Sequence, residues 1–228
     1  MNIIRAVAKK AYVSFCDTLS NKKLHITESL IYHPTQWKFG SHIRDFNRLA
    51  CLQLVAQDIE RRKTTGAVAE VGVYRGSFAA HINAIFPDRK LYLFDTFEGF
   101  DERDVKDEQS RGLSDGGQDF SATSVEDVMK EMPHPERCVP MKGYFPETAS
   151  GLDEKFAFVS LDTDLYAPIY SGLEWFYPRL NQGGYIFVHD FNNALYPGAS
   201  EAVIDYCTQN KVGYALLPDG GGTAVVSR

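Results

Sequence analysis

The 228 residues contain no uninterrupted apolar run of the roughly 18 that a membrane-spanning helix needs. The opening stretch MNIIRAVAKKAYVSF mixes basic and apolar residues at helical spacing and lacks the continuous apolar segment of a signal peptide. It suits packing on its own domain, or an arm of a homodimer, better than a membrane surface. Positive charge is also in short supply: 24 Lys and Arg against 30 Asp and Glu leave a formal charge of −6, the wrong sign for tracking nucleic-acid phosphates. The four cysteines, Cys16, Cys51, Cys138 and Cys207, form no CxxC pair, which excludes a zinc knuckle and a disulfide framework and leaves reduced thiols in a cytoplasmic protein as the expectation. No internal repeat is present. What remains is a chain 44% hydrophobic and 13% aromatic, enough for one sizeable core. The expected organisation is an N-terminal helical extension over residues 1–40 and a single domain over residues 41–228.

From Ser41 to Arg62 the apolar positions Ile43, Phe46, Leu49, Ala50, Leu52, Leu54, Val55 and Ile59 recur at helical intervals, with Ser41 available as a cap. AVAEVGV at 67–73 is β-rich and apolar on both faces, as a strand buried in a parallel sheet is. RGSFAAHINAIF then reads as a helix ended by Pro87, and KLYLFD at 90–95 as a second buried strand. The alternation continues through a helix over 124–132, strands at 138–145 and 156–162, a helix at 170–177, and a strand at 184–190. Such a rhythm predicts an α/β fold, a doubly wound sheet with right-handed crossovers and its ligands beyond the carboxyl ends of the strands.

A helix over 200–209 is followed by YALLP, the turn DGGG, and TAVVSR, two strands joined by a tight connection. The sheet is therefore expected to be seven-stranded, mostly parallel, and closed by a C-terminal antiparallel hairpin. Residues 98–122, rich in charge, Gly and Ser, read as a long loop, which inside a compact domain is either a functional lid or disordered.

The first strand runs into Glu70, Gly72 and Gly76 in EVGVYRG, where glycines let the backbone turn sharply beside a ligand. A dinucleotide fingerprint fails here, because Tyr74 and Ser77 stand where GxGxxG needs glycine, and their side chains would obstruct a pyrophosphate. This disfavours an NAD-dependent oxidoreductase. A nucleoside ligand without phosphates has no such requirement, and S-adenosylmethionine is the common one. Asp95 at the tip of the second strand is placed to accept both ribose hydroxyl protons. The candidate cofactor site comprises Glu70, Gly72, Tyr74, Gly76 and Ser77 of the turn, Asp95 with Thr96 and Phe97 after it, and Asp162 at a further strand end.

The strings EVGVYRGSFA, LYLFDTFEGF, TSVEDV, VPMKGYFPET, LDTDLYAP and GGYIFVHDF resemble the S-adenosylmethionine-dependent O-methyltransferases typified by macrocin O-methyltransferase, which act on sugar hydroxyls of macrolide and aminocoumarin antibiotics. The resemblance covers residues 40–228, and FDTFEGF and LDTDLY are its most specific pieces. It implies a class I methyltransferase with Asp95 on the ribose, Glu70 and Gly72 near the methionine moiety, and Ser124 near the adenine. It further implies that Lys142, Gly143 and Tyr144 line the cofactor pocket, that magnesium assists, and that the acceptor is a sugar or glycoside hydroxyl.

The acceptor chemistry falls at two other strand ends. One delivers Asp162 and Asp164; the other delivers His189 and Asp190, with Asn192 and Asn193 just after. Hard oxygen ligands converging there suit Mg²⁺ or Ca²⁺. The family's metal ligands map to Asp164 and to His189 with Asp190, and the sequence departs from the family pattern at His189, where a second aspartate is typical. That leaves Asp164 and Asp190 as candidate metal ligands and His189 as candidate general base, its ordinary pKa of about 6.5 lying near working pH. A structural alternative has Asp162 capping the next helix and Asp190 satisfying a turn. His33, His42, His81 and His134 are expected on the surface or in packing, and Trp175, Phe176 and Tyr177 in the core. Tyr196 and Pro197 are placed to touch an acceptor. A non-catalytic module that binds the same cofactor is the remaining alternative.

Overall fold

The structure, a computed structural model, describes residues 14–15 and 45–228, and all but the first two belong to the larger of two units into which the chain divides, Lys38–Arg228. Apart from residues 14–15, the expected N-terminal extension and dimer arm lie outside the described residues, as do Cys16, His33, Ser41, His42 and Ile43.

Helix α1, Phe46–Arg62, buries Leu49, Leu52, Val55 and Ile59 along one stripe. Its N-cap is Asp45, whose side chain accepts the Arg48 N–H at 3.1 Å, and not the expected Ser41. Then follow β1 (Ala67–Val71), α2 (Ser77–Ile85), β2 (Leu91–Asp95), α3 (Glu102–Ser110), α4 (Val125–Glu131), β3 (Cys138–Lys142) and β4 (Phe156–Leu161). The chain continues through α5 (Tyr166–Phe176), β5 (Leu180–Val188), α6 (Gly198–Asn210), β6 (Tyr214–Leu217) and β7 (Thr223–Ser227).

The seven strands form one sheet in the order β3-β2-β1-β4-β5-β7-β6. The first five are parallel, and β7 runs antiparallel to both β5 and β6, so the C-terminal hairpin closes the sheet as expected. The order reverses between β1 and β4, which opens a crevice beyond their carboxyl ends. Every residue of β1 and β4 is buried, because helices cover both faces of the sheet. Side-chain alternation assigns Ala67, Ala69, Val71 and Phe94 to the face under α5 and α6, and Val68, Leu91, Leu93 and Phe158 to the face under α1, α2 and α4. Phe176 lies in the first core with Trp175 and Tyr177 packed against it. No helix among the described residues is long and apolar enough to cross a membrane. Cys51, Cys138 and Cys207 are free thiols.

Four expectations are corrected. Strand β3 ends at Lys142, where Gly143 (φ 132) turns the chain, and α5 begins at Tyr166, one turn before the predicted start. Strand β5 starts at Leu180 and not at 184, and the Asn-Gln-Gly-Gly stretch belongs to it as a strand bulged at Gly183 (φ 80). The predicted loop 98–122 contains helix α3, which has almost no apolar stripe to betray it. Asp101 caps it by accepting the Arg103 N–H at 2.9 Å. The fully buried carboxylate of Glu108 fastens it to the domain by accepting the N–H of Tyr166 at 2.9 Å, at the start of α5.

Candidate active site

At the end of β1 the chain turns through Gly72 (φ 83), where a Cβ would overlap the carbonyl oxygen of Asp162; only glycine lets these two strand ends approach so closely. The turn is fastened from β2. Asp95 Oδ2 accepts the N–H groups of Val73 at 2.7 Å and Tyr74 at 2.9 Å, and Oδ1 accepts that of Phe97 at 2.6 Å. Backbone donors thus fill three of the about four acceptor positions of a carboxylate. Glu70, 1% exposed, leaves Oε2 with no partner at the cavity wall. Burial, with the negative charges of Asp162 and Asp95, pushes its carboxyl well above the usual carboxylate range.

The cavity over this turn measures about 840 Å³, within the ~300–1,000 Å³ of small-molecule sites. Glu70, Gly72, Tyr74, Ser77, Asp95, Thr96, Gly143, Tyr144, Asp162, Asp164, His189 and Asp190 all line it. A sulfonium nucleoside with an amino-acid tail fits these features: an orphaned acceptor for an ammonium, a bare turn for close approach, and a carboxylate for a ribose. Four non-glycine residues with positive φ, Tyr74 (49), Phe97 (54), Asp164 (60) and Asp190 (60), stand at the strand tips around the crevice. Backbone strain of this kind collects at functional sites.

Parallel pairing of β4 with β5, Leu161 beside Val188, brings the two acidic segments together. His189 Nδ1 lies 2.6 Å from Asp190 Oδ2 and 3.1 Å from Asp162 Oδ1. Burial opposes a charge on His189, but the two carboxylates outweigh it and raise the imidazole to about 10. Burial would likewise raise Asp162; Arg48 and His189 prevail and hold its carboxyl below the usual range. For Asp164, burial, the charges of Asp162 and Asp190 and a side-chain hydrogen bond with Asp190 outweigh the positive charge of His189 and push its carboxyl up to about 8. Asp190 also accepts the Asn193 Nδ2 at 3.0 Å. Asp162 does not cap α5, whose N-cap Leu165 receives no side-chain bond.

Four predicted cofactor residues do not line the cavity. Gly76 starts α2, and its bare face accommodates Met132 and Val128 of the neighbouring helix region. Phe97 is 4% exposed, its ring in the core, with only its N–H serving Asp95. Ser124 is the N-cap of α4, its hydroxyl spent on Asp127. Lys142 is exposed and pairs with Glu98 at 2.9 Å. Tyr196 is buried behind the wall, edge-on to Phe100. His81, expected on the surface or in packing, lines the cavity, and burial lowers its proton affinity.

The sequence reading missed Arg48, Phe78, Phe100, Gln118 and Phe120, all of which line the cavity. Arg48 had a legible signal, since it shares the stripe of Leu52, Val55 and Ile59, where a charge is out of place. Phe100 and Phe120 had none. For a metal, the described residues form two candidate groups, Asp45 with His189 and Asp219, and Asp162 with His189 and Asp190; only the second includes a predicted ligand, Asp190. Asp162, His189 and Asp190 each offer one ligand atom, all within 4.8 Å of one another, and Asp164 is not in the group. Two carboxylates and an imidazole fit a divalent cation, with the imidazole favouring Mn²⁺, Fe²⁺ or Zn²⁺ over an all-oxygen Mg²⁺ shell.

The fold is shared with the O-methyltransferase NovP, with a TM-score of 0.68 at 22% identity over 80% of this chain and 79% of that one. In sequence, the chain is 26% identical over 173 residues to 8-demethyl-8-(2,3-dimethoxy-alpha-L-rhamnosyl)-tetracenomycin-C 4'-O-methyltransferase of Streptomyces olivaceus, covering 70% of this chain and 64% of the relative. It is 24% identical over 185 residues to demethyldecarbamoylnovobiocin O-methyltransferase of Streptomyces niveus, covering 75% and 69%. It therefore spans roughly two thirds of the length of these relatives, 64% and 69%. The model of the macrocin-O-methyltransferase (TylF) family matches residues 34–218. With the class I methyltransferase sheet, the phosphate-free glycine turn and the acid cluster already in place, that match assigns the chain to the macrocin O-methyltransferase (TylF) family.

Proposed function

We propose that this chain transfers the methyl group of S-adenosylmethionine to a sugar hydroxyl of a glycoside, with Asp164 as the general base. The observation that carries the reading is the meeting of Asp162, Asp164, His189 and Asp190 at adjacent strand ends beside the glycine turn. The relatives named for a rhamnosyl acceptor and for a novobiocin precursor support the acceptor class. When bound, S-adenosylmethionine supplies a methyl group activated by a positive sulfur.

The protein's own part is positioning and proton transfer. Gly72 admits the cofactor's amino-acid end, Glu70 supplies an acceptor for its ammonium, and Asp95 holds the ribose. Asp164 takes the hydroxyl proton, because its raised carboxyl is basic enough to share that proton near working pH. This replaces the role that the sequence suggested for His189. An imidazole held by two carboxylates keeps its proton at neutral pH and has no lone pair at Nδ1 to accept another. His189 instead fixes Asp162 and Asp190, and its Cε1 and Nε2 edge lies where a Cβ on Gly221 would come within 2.8 and 3.1 Å. A divalent cation would be held by Asp162, His189 and Asp190, once His189 gave up its proton, and would lower the pKa of an acceptor hydroxyl. A cytoplasmic setting and self-association through the first 30 residues belong to the same proposal.

Incubation with methyl-labelled S-adenosylmethionine and a panel of rhamnosides and related glycosides should yield a labelled methyl ether. Heat of binding with S-adenosylhomocysteine but no methylated glycoside would remove the acceptor class, and no heat at all would remove the cofactor. Activity unchanged by EDTA and by added Mg²⁺ or Mn²⁺ would remove the cation.

A further inference from the structure

We propose that Arg48 is a positioning residue for methyl transfer, orienting Asp162 and, through it, the His189–Asp190 pair; the inference rests on the function proposed above. Arg48 belongs to α1, far in sequence from every motif of the site. Arg48 is 6% exposed, and its guanidinium is held on three sides. Nη1 donates to Asp162 Oδ2 at 3.0 Å, Nη2 donates to Ser160 Oγ at 3.1 Å, and the Phe78 ring lies 3.7 Å from Cζ. These contacts fix the plane of the fork and therefore the rotation of the carboxylate it grips.

The two oxygens of Asp162 are thereby divided. Oδ2 faces Arg48 and Oδ1 faces His189 Nδ1 at 3.1 Å, which in turn meets Asp190 Oδ2 at 2.6 Å. One line of charge-assisted contacts runs from helix α1 to the strand end that carries the acceptor chemistry. A packing role alone would be filled by leucine, as at Leu52 on the same stripe, without burying a charge. Arg48 Nε is buried with no partner, a defect that stability does not explain. Without the fork, Asp162 is free to rotate, and His189 loses one of its two anchors.

The test compares Arg48→Met with the wild type, expressing turnover of the preferred glycoside per S-adenosylhomocysteine site counted by calorimetry, so that misfolded protein drops out. We expect the site count to hold while turnover per site falls about 100-fold, the scale of a displaced reacting group, with part of the loss restored by added guanidinium ion. Wild-type turnover per site in Arg48→Met overturns the proposal. If that variant does not fold, Ser160→Ala removes only the Nη2 acceptor; a smaller loss per site supports the proposal and none overturns it. If the wild type methylates no glycoside, the acceptor reading fails separately, and crystal structures of the same variants decide this one. Asp162 turned from His189 supports it; Asp162 in place overturns it.

Discussion

Along the tips of β1 and β2 the cavity wall is backbone: a glycine turn and three N–H groups gathered by one carboxylate, Asp95, with its donors at most three residues beyond their own strand. Along the tips of β4 and β5 it is side chains, in contacts such as Arg48 to Asp162 that span 114 positions of sequence. The first wall is rigid because strand ends and turn are locked together. The second depends on helix α1, on the hairpin turn at Gly221 and on residues 98–122, and each must arrive from elsewhere in the chain. A wall of the first kind suits a cofactor common to many enzymes, and one of the second kind suits an acceptor particular to this one.

Substitutions sort by wall. Asp164→Asn should reduce kcat most, by about 100- to 10,000-fold for loss of a general base, while calorimetry shows S-adenosylhomocysteine affinity unchanged; intact turnover would dissolve the distinction. In the wild type kcat should climb with pH and level off above about 8, where Asp164 is ionised. Gly72→Ala acts on the other wall. Its backbone strain alone is about 1–3 kcal/mol, the overlap with Asp162 adds to it, and the expected result is loss of cofactor binding in a titration. Glu108→Ala spares the first wall but unfastens helix α3 from the start of α5. Melting should register about 0.5–2 kcal/mol for the lost helix-end acceptor, and the glycoside KM should rise with no change for the cofactor.

A subtler effect concerns stability. The Asp164 carboxyl is raised from 3.8 to about 8 in the folded state, so its contribution is whole below about pH 4 and is lost as the pH rises through 8. Asp164→Asn removes that loss and should melt higher than the parent at pH 9, by about 0.5–2 kcal/mol, with no advantage at pH 4. Melting curves at the two pH values check the sign. Lys142→Ala should do least. Its exposed pair with Glu98 has a worth of about 0–1 kcal/mol, and cofactor affinity should not move.

Much of the fold could be read because its signals are local. β1 and β4 are short apolar runs, Asp95 ends one of them, and the DGGG turn between two short strands announces the hairpin. Helix α3 escaped notice because its sequence, ERDVKDEQS, is held by a cap and by two buried carboxylates, Asp104 and Glu108. Gly76 and Ser124 carry ligand-like residue types, yet a helix packing site and a helix cap use them up. Sequence patterns report residue type and spacing, and both kinds of use look alike there.

By itself, the sequence determined the class of fold, the place of the glycine turn and the identity of the acids, since each follows from short-range periodicity and backbone sterics. Only the tertiary structure decided which acids gather around His189, that Asp164 beside Asp190 has a raised carboxyl, and that an arginine from the first described long helix grips Asp162. Those properties arise from charges a few ångströms apart at low dielectric, and such distances are set by strand order and helix docking.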